Sequence, residues 1–314
     1  MNYIVMLKYT ITLNALIMYS PLLVAANTSH VTDIIFTADG KHILSCSNDG
    51  LDVYEWPRLK RIKRIDLKAP HPTCIQFSPD QSLLAVGGGI PSDSGTIEIF
   101  SWPSLSKTMT MTAHMDQIMS VTWRDNQTVI TASLDHDIQI LDIQNGESKQ
   151  LIEGHSRGVT SMCLIENKST LISGSLDQSI RVWDSNTGEL QRTSSNHTHP
   201  VHAVATAPGS SGLPTVASAS DDRTIRIWQP TIGRLVRFIR LNTAPLDIDW
   251  VDSNRLAASC KDGRVYLVDT LNVQVLSSHE AIDGWAFCIA CHPTLDELVV
   301  AGEHGQIKRI TLDN

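Results

Sequence analysis

The chain has 314 residues, enough for one large domain or two ordinary ones. With 42% hydrophobic and 18% charged residues it is globular, which excludes a disordered or collagen-like chain. Twenty-five basic against 33 acidic residues leave a formal charge of −8, which argues against general nucleic-acid binding. Six cysteines fall far below the density of a disulfide scaffold.

Residues 1–26 form the longest apolar run. Lys8 is its only charge, and it ends in the small residues Ala25 and Ala26 before Asn27, as a secretory leader does. Thr10, Thr12, Asn14, Ser20 and Pro21 make the same run too polar for a membrane helix.

Beyond it the chain repeats. In order come DGLDVYEWPRL (49–59), SGTIEIFSWPSL (94–105), TASLDHDIQILDIQNGE (131–147), SGSLDQSIRVWDSNTGE (173–189), SASDDRTIRIWQPTIGR (218–234), SCKDGRVYLVDTLNV (259–273) and GEHGQIKRITLDN (302–314). One position recurs in all of them, as Tyr54, Phe100, Leu141, Trp183, Trp228, Val268 and Ile310, spaced 46, 41, 42, 45, 40 and 42 residues apart. Each landmark ends a period-two segment preceded by an Asp, Asn or Gly turn, the pattern of short antiparallel strands. Seven units of one strand-rich motif predict an all-β repeat architecture.

Gly154-His155, followed 28 positions later by Trp183-Asp184, resembles the WD40-repeat signature. The resemblance covers residues 20–314, is strong in the third to fifth units, and is eroded in the others. It implies a seven-bladed β-propeller of four-stranded antiparallel blades, with residues 1–19 as an N-terminal extension. In such rings the N-terminus supplies the outer strand of the last blade, so residues 22–26 are the expected closing strand. Cleavage after Ala26 would remove that strand and leave a sheet edge open. Retention in the cytoplasm is therefore the expected course, and the scattered cysteines suit a reducing compartment. Export to the periplasm is the alternative.

The resemblance also implies buried hydrogen-bonded sets, His155, Ser173, Asp177 and Trp183 in blade 4 and His197, Ser218, Asp222 and Trp228 in blade 5. Blade 3 has His114, Thr131 and Asp135, with Leu141 in place of the indole. Ser, His and Asp together imitate a hydrolase triad. Their recurrence at equal offsets in successive blades instead points to a structural role, and no enzymatic activity is expected.

Three other motifs stand out. CIACH (288–292) matches the attachment motif for c-type haem. On a strand, however, positions three apart face opposite ways, so no cofactor is expected there, and no metal-ligand cluster is evident. RLKRIKR (58–64) suits an outer strand whose charges discourage edge pairing. GGGIPSDSG (87–95) reads as a lengthened turn between strands.

The family resemblance implies a non-catalytic scaffold that binds a protein or peptide on one rim. An exported propeller with a small-ligand, enzymatic or redox-associated role is the alternative. Neither nucleic-acid partners nor membrane insertion of the propeller is expected, and the propeller is expected to be a monomer. By analogy, the turn residue before each buried Asp faces that rim: Asn48, Leu134, Leu176, Asp221, Lys261 and Glu303. Met119, Thr160, His202 and Asp247 are expected at the channel mouth. Leu134, Leu176 and Met119 would form an exposed apolar patch.

Overall fold

The computed structural model describes residues 29–165, 168–209 and 212–312. They form seven antiparallel sheets, each a simple meander. Six sheets have four strands, and the seventh, from Ala286–Cys291 to Ile307–Thr311, has three among the described residues. The expected closing strand, residues 22–26, lies outside the described residues.

The first strands of the sheets are Val31–Phe36, Cys74–Phe77, Ile118–Trp123, Val159–Leu164, Val201–Thr206, Pro245–Trp250 and Ala286–Cys291. Each touches the first strand of the next sheet, and the seventh touches the first, so they ring a central channel. The molecule is a seven-bladed β-propeller.

Alternation along the sequence explains which strand goes where. Second strands such as Thr128–Ser133 and Thr170–Ser175 are buried along their whole length, because neighbouring blades cover both faces. Outer strands such as Lys60–Ile65 are exposed and charged. The basic run therefore occupies a solvent-facing edge, where Arg64 pairs with Asp52 at 2.6 Å and Lys63 donates to Ser104 O at 2.7 Å.

The core is divided. One hydrophobic cluster fills each blade interface, from blades 1 and 2 round to blades 7 and 1. The seven landmarks share one register: each sits on a third strand, opposite the equivalent second-strand residue, as in Ile43↔Tyr54, Leu171↔Trp183 and Leu298↔Ile310. From there each packs into the interface with the preceding blade. That is why the position is always large and apolar, while indole is optional.

Polar contacts join the blades near the channel. Thr32 and Thr160, at the second position of their first strands, and Thr73, just before Cys74–Phe77, donate to the carbonyls of Pro72, Val201 and Ile118 in the next blade. At the third position, Ser120 and Ser161 accept the amides of Met162 and Val204, and Asp33 and Asp247 accept those of Ile75 and Ile289.

The glycine-rich segment differs from its sequence expectation. Gly87, Gly88 and Gly89 lie inside the strand Leu83–Ile90, and only residues 91–93 make the turn. A side chain at Gly88 would strike the backbone of His71 and Pro72. The glycines thus let blade 2 carry a longer hairpin, whose tip brings Pro91 to the channel mouth.

Candidate functional site: the channel mouth

The Ser-His-Asp sets come first, because they decide whether the rim holds catalytic chemistry. In blade 4, His155 Nδ1 lies 2.9 Å from Asp177 Oδ2, and its Nε2 lies 2.7 Å from Ser173 Oγ. Trp183 Nε1 donates to the same Ser173 oxygen at 2.8 Å. Blade 5 repeats this with His197, Asp222, Ser218 and Trp228 at 2.8 Å throughout. Every donor finds an acceptor when the imidazole proton sits on Nδ1.

Burial raises the Asp177 and Asp222 carboxyls, but hydrogen bonds from His155 and Ser179, and from His197 and Thr224, outweigh it. Both end well below the usual carboxylate range. Burial lowers the His197 imidazole, with Asp222 opposing. The geometry resembles a hydrolase triad, yet Ser173 and Ser218 are both 0% exposed and the indole occupies each hydroxyl. No substrate carbonyl reaches a nucleophile so enclosed.

Blade 3 has His114 between Asp135 and Thr131, at 2.9 Å from each, without the indole. In blade 2 the fully buried Glu98 accepts the amides of Lys68 and Ala69 and pairs with Lys107 at 2.9 Å. In blade 6 Tyr266 donates to Asp262 at 2.9 Å, and burial, followed by that bond, pushes its phenol up to about 12.

The channel opens on the same rim as these sets, in a cavity of about 300 Å³. The second residue of six first strands lines it, Thr32, Met119, Thr160, His202, Leu246 and Phe287, and in blade 2 Thr73, just before Cys74–Phe77, takes the same place. Met119, Thr160 and His202 thus stand at equivalent places. Asp247 also lines the cavity, but one residue further along its strand, and Leu246 holds the mouth position in blade 6. The bulge found in six of the seven first strands, here between Pro245 and Asp247, blurs that register in the sequence.

The turn residues mostly serve contacts between blades. Asn48 Oδ1 lies 3.2 Å from His71 Nδ1. Asp221 Oδ1 lies 2.9 Å from His202 Nε2 and 2.5 Å from Lys261 Nζ. Burial raises the Asp221 carboxyl, but bonds from His202 and Lys261 hold it well below the usual range. Lys261 also sits 5.1 Å from the ring centre of Trp285. Glu303 begins a short 3-10 turn in blade 7.

The expected apolar patch takes a different form. Leu134 is only 7% exposed, because Gly158 in the next blade lacks the side chain that would displace it: a Cβ there would lie 2.7 Å from Leu134 Cδ2. Leu176 is half-buried. The exposed apolar side chain on this rim of blade 3 is Met115, at 80%, which directly follows His114.

Sequence reasoning named Asp247 at the mouth but missed Asp33 as its companion. Asp33 on blade 1 and Asp247 on blade 6 both line the cavity. Protein surrounds them while the channel still admits water. Burial pushes Asp33 up to about 7 against amide bonds from Ile75 and Ile34. Burial, then the nearby Asp33, pushes Asp247 up to about 8. Asp249, two residues further along the strand, is raised to about 6 by burial. Aligning the first strands by their third residue would have found Asp33 and Asp247 together.

The haem-like motif resolves as structure. Cys288 packs between blades 7 and 1, and Cys291 against the interface of blades 6 and 7, so the thiols point to opposite faces. His292 is buried against Phe36 and Trp56, with Nε2 3.2 Å from Gly40 O. No group of three or more ligating side chains among the described residues could hold a metal. No helix among them is long and apolar enough to cross a membrane.

Seven blades, buried Trp-Ser-His-Asp chains and an open channel mouth define a class of repeat propeller. The family model described as "WD domain, G-beta repeat" matches residues 21–51, 66–101, 105–142, 146–184 and 188–229, more than half of the chain. The chain belongs to that family. The first match begins at residue 21, one residue before the segment expected to close the ring. No curated protein matches the chain. Propellers of this family are in general non-enzymatic interaction scaffolds.

Proposed function

We propose that this protein is a non-catalytic, monomeric scaffold that holds an extended segment of a protein partner across the rim bearing the channel mouth. The observation that carries this reading is the cavity of about 300 Å³, to which all seven blades contribute. A site built from every blade is rigid, because each wall strand is latched to its neighbour. Rigid placement lowers the ordering cost of binding. Met115, the blade 2 hairpin tip at Pro91 and Trp285 stand around the mouth as contacts for the flanking segment.

The six cysteines are all free, which suits a reducing compartment, and we infer a cytoplasmic location. An intact mass from native cells that retains residues 22–26 agrees with this, and a mass beginning at Asn27 opposes it.

Selection of displayed peptides on the full chain tests the scaffold reading. Recovered peptides should bind a Met119→Glu or His202→Ala variant at least about tenfold more weakly, as loss of a central contact does. Recovering no peptides, or peptides indifferent to both changes, would overturn it.

A further inference from the structure

Asp33 and Asp247 line the cavity together with the imidazoles of His30, His71 and His202, and no lysine or arginine does among the described residues. The two acids come from blades 1 and 6, which flank blade 7. Each receives two backbone amides: Asp33 from Ile34 and Ile75, Asp247 from Ile248 and Ile289. A carboxylate offers about four lone-pair sites, so both retain capacity.

Of the neighbouring hydroxyls, Thr32, Thr73 and Thr160 have given their protons to carbonyls of the next blade, while Ser120 and Ser161 accept amides and keep theirs. One further side chain in the wall has an unmet polar atom. Gln117 is 2% exposed, and its Oε1 makes no hydrogen bond. His202 Nε2 lies against Asp221 Oδ1 at 2.9 Å. Phe287, at the mouth position of blade 7 between the two acids, supplies an aromatic wall.

An anion would meet two acids and few donors here. A neutral apolar group would leave both acids unsatisfied. We propose that the channel mouth takes one basic side chain, lysine or arginine, of the bound segment, held between Asp33 and Asp247. This rests on the reading that a protein segment lies across this rim. The volume, about ten waters' worth of liquid, suits one extended side chain and excludes a folded element. Stacking against Phe287 adds the attraction of a cation to an aromatic face. The cation also offsets the repulsion that Asp33 exerts on Asp247.

The test uses the full chain with methyl-labelled methionine, the Met119 signal being assigned with Met119→Leu. n-Butylammonium, a lysine side-chain mimic, should shift that signal saturably, and n-butanol at equal concentration should not. Acetyl-Gly-Gly-Lys-Gly-Gly-amide should act like n-butylammonium, and its N-acetyllysine counterpart should not. Asp33→Asn and Asp247→Asn should each weaken binding about tenfold or more, as loss of a bond to a charged group does.

If a variant fails to fold, the charged and neutral probes on the unaltered chain still decide. Equal response to charged and neutral probes, or to neither, overturns the proposal. A response to n-butylammonium but not to the lysine peptide overturns the assignment to a protein side chain. Displayed peptides that need Met119 and His202 but carry no basic residue overturn the cation site and leave the scaffold reading standing.

Discussion

Aspartates do opposite things on the two sides of this ring. In blades 4 and 5, Asp177 and Asp222 face histidine and hydroxyl donors, and their carboxyls sit well below the ordinary range. In blades 6 and 1, Asp247 and Asp33 meet backbone amides and each other, and their carboxyls sit near neutrality. Burial acts in the same direction on all four. What differs is whether a side-chain partner stabilises the charge. The first pair therefore holds a framework together, while the second is left wanting a cation.

The largest expected effect breaks the framework side. Trp183→Ala should lower stability by about 3–5 kcal/mol, since it removes a large buried ring and the donor to Ser173. Trp183→Phe should cost about 1–2 kcal/mol, because bulk remains and the hydrogen bond goes. Ile310→Ala, at the same register in blade 7, should cost about 2–4 kcal/mol by packing alone. Urea denaturation midpoints measure all three, and equal costs for Trp183→Phe and Trp183→Ala would remove packing from the argument.

The next effect separates a buried turn residue from its half-buried equivalent. Leu134→Asp places an unpaired charge under blade 4 and should cost about 3 kcal/mol or more. Leu176→Asp should cost less than about 1 kcal/mol. Thermal unfolding of the two variants checks this. A well-folded Leu134→Asp protein would show that the turn is free to turn outward.

The smallest effect is the pH dependence. Asp33 and Asp247 have folded pKa values above the unfolded value of about 4. The folded state then holds more protons than the unfolded one, so stability falls as pH rises from about 4 to about 8. Asp177 and Asp222 have lowered values, so their contribution is present above about pH 4 and is lost as pH falls further. Melting temperature should therefore decline between pH 6 and 8.5, and Asp247→Asn should flatten the decline. A flat profile in the unaltered protein would place both acids in open water.

The fold was legible because a propeller repeats. Seven landmarks at nearly constant spacing identified the third strands, and the structure sets each at the same register. Blades 6 and 7 show the limit of signature matching. The family matches stop at residue 229, while residues 245–311 form two more blades. There Val268 and Ile310 keep the apolar requirement of the position, and the chain of partners behind it has changed: Tyr266 with Asp262 in blade 6, Gln306 with the backbone of Asp283 in blade 7. Rhythm is dictated by packing and persists, whereas the hydrogen-bond chain has several chemical solutions.

The site was only partly legible. His202 and Met119 were expected at the mouth by analogy with the family, and both line the cavity. Leu134 could not be placed, because its burial depends on a glycine in the next blade. Asp33 escaped notice because its partner Asp247 is more than 200 residues away.

The sequence by itself determined that this chain builds seven like sheets, since strand length, turn residues and apolar period are local properties. Only the tertiary structure decided that two distant aspartates share one cavity, lined by no lysine or arginine among the described residues. Their enclosure and their mutual repulsion arise when the ring brings blade 1 beside blade 7, and no local pattern encodes that meeting.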